Sequence, residues 1–477
     1  MKPAARWLWF LPAPILCLAV FWRVPFVWFR MDDFAWLSLP SQVHSLGDLG
    51  QALFHPRAQG TVRVLSERAF FLVFSSIFGL HGPPYRAWVM GTWFVDLALI
   101  QLIGARITGS RAAGLLAALL WTVSAVLVQP LAWTSDYNQV LCAFFVLAAF
   151  YARLRWFESG ERKWRLCEAC AFLLGFGALE IMVVYPALAL LYSVTQPQAR
   201  KAWRSTLWMF VPAAIFAALQ LFVIPKTSSP IYQLFFDARL PGNLWAYLHW
   251  TVGSHQPILM ACALLGFAVW RLYRRDWLAL FCWGWFLLLI APVLPLANHV
   301  FEYYPTLPGV GLAWLAGWGM VAAWRNGWAA RLAAIALAAT YWSGSIAAVE
   351  EATAWHLTVS SRMRMLIRGI QDVLEEHPGS ALVLHGVDEE LFNAGFLDNP
   401  FRLLGAGPVY LAPGTGDEIV TREDLGGVAK FRISPEDALK LLGDGHARVL
   451  EVSMGEPQDV TRMYSAVLRA QLTAKRE

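Results

Sequence analysis

Two adjacent carboxylates, Asp32 and Asp33, follow directly on the first long apolar segment of the chain, roughly Trp7 to Phe29. Acids are costly in hydrocarbon and are tolerated against water or protein, so an acid pair at the exit of such a segment is a functional candidate. A carboxylate there can take a proton from a hydroxyl as a general base. Its neighbour splits the titration of the pair, because like charges resist joint ionisation. The plainer alternative is that one acid caps the short helix read from Phe34-Ala35-Trp36-Leu37. We assign Asp32 the role of base and Asp33 that of cap or supporting contact.

Other polar residues gather on the same expected side once the apolar segments are threaded. They are Arg63, Asp136 with Tyr137 and Asn138, Glu180, Lys226, Asp237, Arg239, His299 and Glu302. A cavity mixing acids with cations suits a reaction at a charged lipid headgroup. His299 reads equally as a ligand, a phosphate contact or an interfacial histidine. Asp96 stands mid-segment in Trp93-Phe94-Val95-Asp96-Leu97. A charge there costs about 2.5–3.5 kcal/mol on insertion scales, so Asp96 is expected to be protonated or bonded to a neighbouring helix.

The elements that must position these residues are membrane helices. The chain has 477 residues, 58% of them hydrophobic and only 15% charged, with a mean hydropathy of +0.48. That balance excludes an ordinary soluble domain. The 25 Trp cluster near the ends of apolar runs, as interfacial belts require. A net charge of +5 raises the question of nucleic acid, but the basic residues sit in short loops between spans and read as an orientation signal. The first segment is too long for a signal peptide, carries Arg23, and leads into acids instead of a cleavage site. All six Cys lie in or beside apolar runs, so no disulfide framework is implied, and Cys167-Glu168-Ala169-Cys170 lacks the second pair a metal site needs.

Apolar segments at about 7–29, 84–105, 112–130, 138–157, 167–179, 181–195, 203–224, 255–273, 277–296, 303–324 and 329–348 predict eleven crossings. Lys and Arg crowd the loops on one side (Arg106, Arg111, Arg153, Arg155, Arg162, Lys163, Arg165) and thin out on the other (Arg30, Arg57, Arg63, Arg68, Arg86). The positive-inside rule then puts the N-terminus in the cytoplasm. Residues 167–195 lie between two basic loops, so both ends belong inside. Two short helices meeting near Ala178-Leu179-Glu180 satisfy this, each rising only about 20 Å against a core of about 30 Å. Glu180 would occupy a recessed tip. The run Thr61 to Leu80 reads as an interfacial helix. Twenty of the 33 acidic residues fall beyond Val349, where a helix at about 361–376 and β-like runs at 381–384, 408–411 and 449–452 predict a small α/β domain. The expected architecture is an all-α polytopic membrane protein (1–349, with 31–83 as first exterior loop) followed by a soluble exterior domain (350–477). A bacterial inner membrane, with the tail domain periplasmic, fits this layout.

The order of these features resembles the GT-C membrane glycosyltransferases, particularly the protein O-mannosyltransferase-like group that uses polyprenyl-phosphate sugars. Asp32-Asp33 looks like that family's acid motif in the first exterior loop. Thr61-Val62-Arg63-Val64-Leu65 with Ile77-Phe78-Gly79-Leu80 resembles its "RPL … FG" helix, and Pro84-Tyr85-Arg86 its entry to the second span. Ala132-Trp133-Thr134-Ser135 is similar to the turn before its fourth span. Leu179-Glu180 with Tyr185-Pro186 resembles "KE … LP", and Glu302-Tyr303-Tyr304 with Leu307-Pro308-Gly309-Val310-Gly311 resembles "ERY … LPSVG". The likeness covers about 1–325. Leu179 and Tyr303 stand where that family carries Lys and Arg.

The resemblance implies a sugar carried on an isoprenoid phosphate and an acceptor hydroxyl on protein, lipid or glycan, in contact with membrane lipids and without nucleic acid. Asp32, with Asp33, would serve the acceptor. Arg63, Arg86, Lys226, Arg239, His299 and Tyr303 would serve the donor phosphate. Asp136, Glu180 and Glu302 would be supporting acids. A divalent cation held by Asp32, Asp136 or Glu180 is compatible with these residues, although no spacing requires one. The rival reading is a lipid or solute transporter, which should show paired interrupted helices. Only one hairpin, at Glu180, has that character.

Overall fold

A bilayer admits only backbone whose polar groups are satisfied internally, and segments this rich in Ala, Leu, Val, Phe and Trp meet that demand as helices. The computed structural model describes residues 8–56, 60–224, 230–417, 419–420, 427–453 and 455–474. Four helices in it are long and apolar enough to cross a membrane: Gly82–Thr108, Thr134–Ser159, Ala202–Val223 and Trp328–Glu376. Two bent pairs bring the number to six: Arg111–Thr122 with Ala125–Ala132 at 65°, and Leu240–Val252 with Pro257–Tyr273 at 90°. Shorter apolar helices lie at Leu8–Val20, Glu180–Thr195 and Leu278–Val293. The chain is thus a mostly helical integral membrane protein. Every predicted apolar segment contains helix, but several are too short or too sharply bent to count as one straight crossing. At the 90° bend the cause is local: Gly253 sits at φ 95 and Pro257 opens the next helix.

The chain divides into two compact units. The first comprises Met1–Pro25, Gly50–Phe70 and Pro83–Ala354. Its helices include α1 (Gly82–Thr108), α2 (Arg111–Thr122), α3 (Tyr137–Ser159), α4 (Arg162–Gly175), α5 (Tyr185–Thr195), α6 (Pro257–Tyr273), α7 (Gly309–Arg325) and the start of α8 (Trp328–Glu376). A Cβ on Gly114 would stand 2.2 Å from the Gln101 carbonyl oxygen, and one on Gly317 2.4 Å from that of Ala113. Glycine therefore lets α1, α2 and α7 approach backbone to backbone. Arg153, expected in a loop, is buried on α3. It donates to Glu168 and to Ser193 Oγ, each at 2.9 Å, while Tyr185 Oη donates to the same Glu168 oxygen at 2.8 Å. This network ties α3, α4 and α5 together.

The second unit comprises Phe26–Leu49, Phe71–Gly82 and Trp355–Glu477. It holds a four-stranded sheet of β1 (Ala381–His385), β2 (Val409–Leu411), β3 (Ala447–Glu451) and β4 (Gln458–Asp459), in the order β2-β1-β3-β4. β1 pairs in parallel with β2 and β3, and β4 lies antiparallel to β3. The sheet is small and mixed, near the three β-like runs of the sequence. The separate helix predicted at 361–376 is instead the end of α8, which is unbroken over 49 residues. Between Gly344 and Glu376 there is no Pro and only Gly369 to weaken it. Met363, Leu366, Ile367 and Ile370 are buried, the spacing of a helix with one apolar face.

Candidate functional site

In the first unit, Val64–Ala69 wind as a π-helical turn, a feature frequent at functional sites. Arg63 precedes it and reaches forward to Glu67, Nη1 to Oε1, at 2.7 Å. Opposite lies the α4–α5 hairpin, whose tip is fastened to this turn by backbone. Leu65 N donates to Gly177 O at 2.7 Å, and Ser66 Oγ to Ala178 O at 2.7 Å. A Cβ on Gly177 would stand 2.9 Å from Leu65 Cγ, so the contact needs a residue without one. The docking delivers Glu180, first residue of the short helix Glu180–Val184, to the guanidinium. Arg63 Nη2 lies 3.0 Å from Glu180 Oε2, and Nε contacts both carboxylate oxygens at 3.1 Å.

Arg63 is thus forked between two acids. Burial works against its charge, but Glu180 and Glu67 outweigh that effect and hold its pKa well above the ordinary value. Asn138 donates to Glu67 Oε1 at 3.4 Å and to Ser135 O at 3.0 Å, and the remaining Glu67 oxygen is buried without a hydrogen-bond partner. Asp136, also buried, accepts from Gln129 at 2.9 Å. His299 Nε2 and Tyr303 Oη lie 3.1 Å apart, and the His299 ring packs among Tyr232, Phe301 and Tyr304.

The acid doublet belongs to the second unit. Met31 sits at φ 50, a left-handed conformation that costs an ordinary residue about 1–2 kcal/mol. Its N–H donates to Ala394 O at 2.6 Å, and Asp33 Oδ2 accepts from Arg30 N at 3.1 Å. Asp33 is fully buried. It opens the helix Asp33–Leu37, and Asp32 stands at the N-cap position, exposed, with no side-chain capping bond. The cap expected of Asp33 is therefore a backward bond that closes the turn. Burial also raises the Asp398 carboxyl in this unit to about 6, with Lys430 and Arg402 opposing and Asp33 adding to the rise.

The remaining candidates lie elsewhere. Arg239 is exposed and paired with Asp237 at 2.6 Å, which holds the Asp237 carboxyl down at about 2. Glu302 is exposed. Arg86 is buried in the first turns of α1. Lys226 lies outside the described residues. Asp96 is fully buried, and neither carboxylate oxygen makes a hydrogen bond, so of the two expected alternatives the bond to a neighbouring helix is not seen. Among the described residues, no group of three or more His, Cys, Asp or Glu side chains could hold a metal ion. Glu67 was missed as a site residue, and its place four residues after Arg63, in helical register, was the available signal.

No protein-family model matches the chain, and no curated protein does. Solved structures do. The oligosaccharyltransferase of Archaeoglobus fulgidus in its apo form superposes with a TM-score of 0.53 at 10% identity, over 94% of this chain and 70% of that one. The same organism's oligosaccharyltransferase AglB, in complex with an inhibitory peptide and a dolichol-phosphate, gives 0.52 at 11%, over 93% and 69%. The arabinofuranosyltransferase AftD from Mycobacteria gives 0.50 at 15%, over 93% of this chain but only 35% of AftD. At such identities the likeness is one of fold alone.

Proposed function

We propose that the protein transfers a sugar from a polyprenyl-phosphate donor to an acceptor hydroxyl, in the manner of the protein O-mannosyltransferase-like enzymes. The observation that carries this reading is the forked Arg63, joined to Glu180 on a hairpin tip and to Glu67 on a π-turn, in a chain with a GT-C-like fold. The dolichol-phosphate held by AglB is a donor carrier of the proposed chemical class. In this reading the shorter apolar helices complete a set of eleven crossings in a bacterial inner membrane. The N-terminus is cytoplasmic, and residues 350–477 form an exterior α/β domain.

Asp32 is the proposed base. The acceptor oxygen loses its proton to the Asp32 carboxylate and bonds to the anomeric carbon as the bond from that carbon to the phosphate oxygen breaks. Single displacement inverts the anomeric centre and leaves a polyprenyl phosphate. The sugar develops oxocarbenium character, and Glu180 is the carboxylate we assign to stabilise it, with Asp136 in support. A phosphate approaching Arg63 would have to displace a carboxylate, because one guanidinium between two acids carries no net positive charge. The leaving phosphate is therefore assigned to Tyr303 and His299 as hydrogen-bond donors, with Arg86 as cation, and Arg63 becomes the residue that positions Glu180. A hexose is the proposed sugar.

The buried, unbonded Asp96 is the one observation that favours the transporter reading, since intramembrane acids mark ion and substrate paths. Incubating the purified protein with labelled polyprenyl-phosphate hexoses separates the two. Transfer or hydrolysis supports the enzyme. Uptake into vesicles with the label chemically unchanged overturns it.

A further inference from the structure

Helix α7 begins just after the turn that carries Tyr303 and runs for about 25 Å. Three chain turns meet at its far end: Thr108 to Ser110 between α1 and α2, the end of α6, and the end of α7. They enclose a polar cavity of about 310 Å³, whose lining includes Ser110, Trp270, Arg271, Trp318, Arg325 and Asn326. A second cavity, apolar and about 320 Å³, runs along α7 from Gly309 to Ala323, with α6, α8, the end of α2 and Thr251-Val252 as its other walls. The two adjoin along α6. Met260, Leu264 and Phe267 wall the apolar cavity, and Trp270 and Arg271, one turn on, wall the polar one.

The apolar cavity stays open because its walls are small. Gly319, Ala323, Ala330 and Ala334 line it, and even a Cβ on Gly319 would come only within 3.5 Å of the Phe267 ring. From Gly309 to Ala323 the groove extends about 21 Å, more than the roughly 15 Å depth of one leaflet of hydrocarbon. The polar end is cationic. Arg271 lies over the Trp318 ring at 4.2 Å and is paired with Asp276. Arg325 is exposed at the end of α7 and has no carboxylate partner among the described residues. Arg331, whose Nε donates to Trp324 O at 2.8 Å, adds charge next to it. Orientation in the membrane accounts for the arginines themselves. It does not call for a cavity with a serine hydroxyl in its wall, opening beside a hydrocarbon-lined groove.

We propose that this is a binding site for an anionic phospholipid, its phosphate held by Arg325 and the Ser110 hydroxyl and one acyl chain lying along α7. The site is separate from the Arg63 cluster and does not depend on the sugar-transfer reading. The full-length protein in detergent would be titrated with phosphatidylglycerol, with phosphatidylcholine of the same chains, and with soluble glycerol phosphate, and the thermal midpoint followed. Phosphatidylglycerol should raise the midpoint at the lowest concentration, phosphatidylcholine should need about tenfold more, and glycerol phosphate should have no effect. Arg325→Gln, at an exposed position, should weaken phosphatidylglycerol about tenfold, the loss of one charge-assisted contact. Ala334→Phe should blunt the response to both lipids by filling the groove. Equal responses to the two lipids, an unchanged response in Arg325→Gln, or a full effect of glycerol phosphate would each overturn the proposal.

Discussion

The Arg63 cluster of the first unit and the acid doublet of the second hold their acids in opposite ways. In the first, Glu67, Glu180 and Asp136 each accept from a named donor, and two of them share one guanidinium. In the second, the doublet is divided: Asp33 is buried and closes a turn, while Asp32 beside it is exposed on a helix start held by a left-handed Met31. An acid whose oxygens are engaged by an arginine is poorly placed to take a proton from a substrate hydroxyl. The cluster around Arg63 therefore presents fixed charge, and the doublet offers, in Asp32, an acid that solvent can reach.

The hardest test of that division is Asp32→Asn. General-base catalysis is worth about 10²–10⁴-fold, so transfer from a labelled donor should fall by that factor while the protein stays folded. Asp136→Asn should cost far less. If Asp136→Asn proves the more damaging, the base belongs to the first unit and the contrast is reversed. Next in size is Arg63→Ala, which strands Glu67 as a buried charge. Breaking such a pair costs about 3–5 kcal/mol, visible as a lower unfolding midpoint. Arg63→Ala with Glu67→Gln should recover part of the loss, and no recovery would mean the two acids are not held through Arg63.

The smallest effect sharpens the second half of the comparison. Asp398 has a folded pKa of about 6, above its unfolded value near 3.9. A raised carboxyl stabilises the fold fully only below its unfolded pKa, and that contribution disappears as pH rises through the folded one. The change is worth roughly 3 kcal/mol. Asp398→Asn should therefore stabilise the protein at pH 7.5 and match wild type near pH 4, followed by chemical denaturation at each pH. A pH-independent difference would remove burial as the cause.

Much of the fold was legible because helices and strands write a period into the chain. The hairpin at Glu180 could be read from the basic loops at both ends of 167–195, which one straight crossing cannot leave on the same side. The strands near 381, 409 and 449 stood out as short apolar runs between turns. The single length of α8 was not foreseen, because the change of composition after Val349 looks like a boundary, whereas a helix ends only where something stops it. The partners of the charges were the least legible. Arg63 and Glu180 are 117 residues apart, and what brings them together is the docking of two backbones. Arg153 looked like a loop cation for the same reason: Glu168 and Ser193 sit on other helices. His299 and Tyr303, four residues apart, could have been paired from sequence.

Gly177 carries the largest consequence for so small a residue. The absence of a single methyl group there sets how deep the hairpin seats, and so fixes the place of a carboxylate three residues further on. Any side chain at 177 would pry the tip away from Leu65 and loosen the grip on the arginine from a position that touches no charge at all.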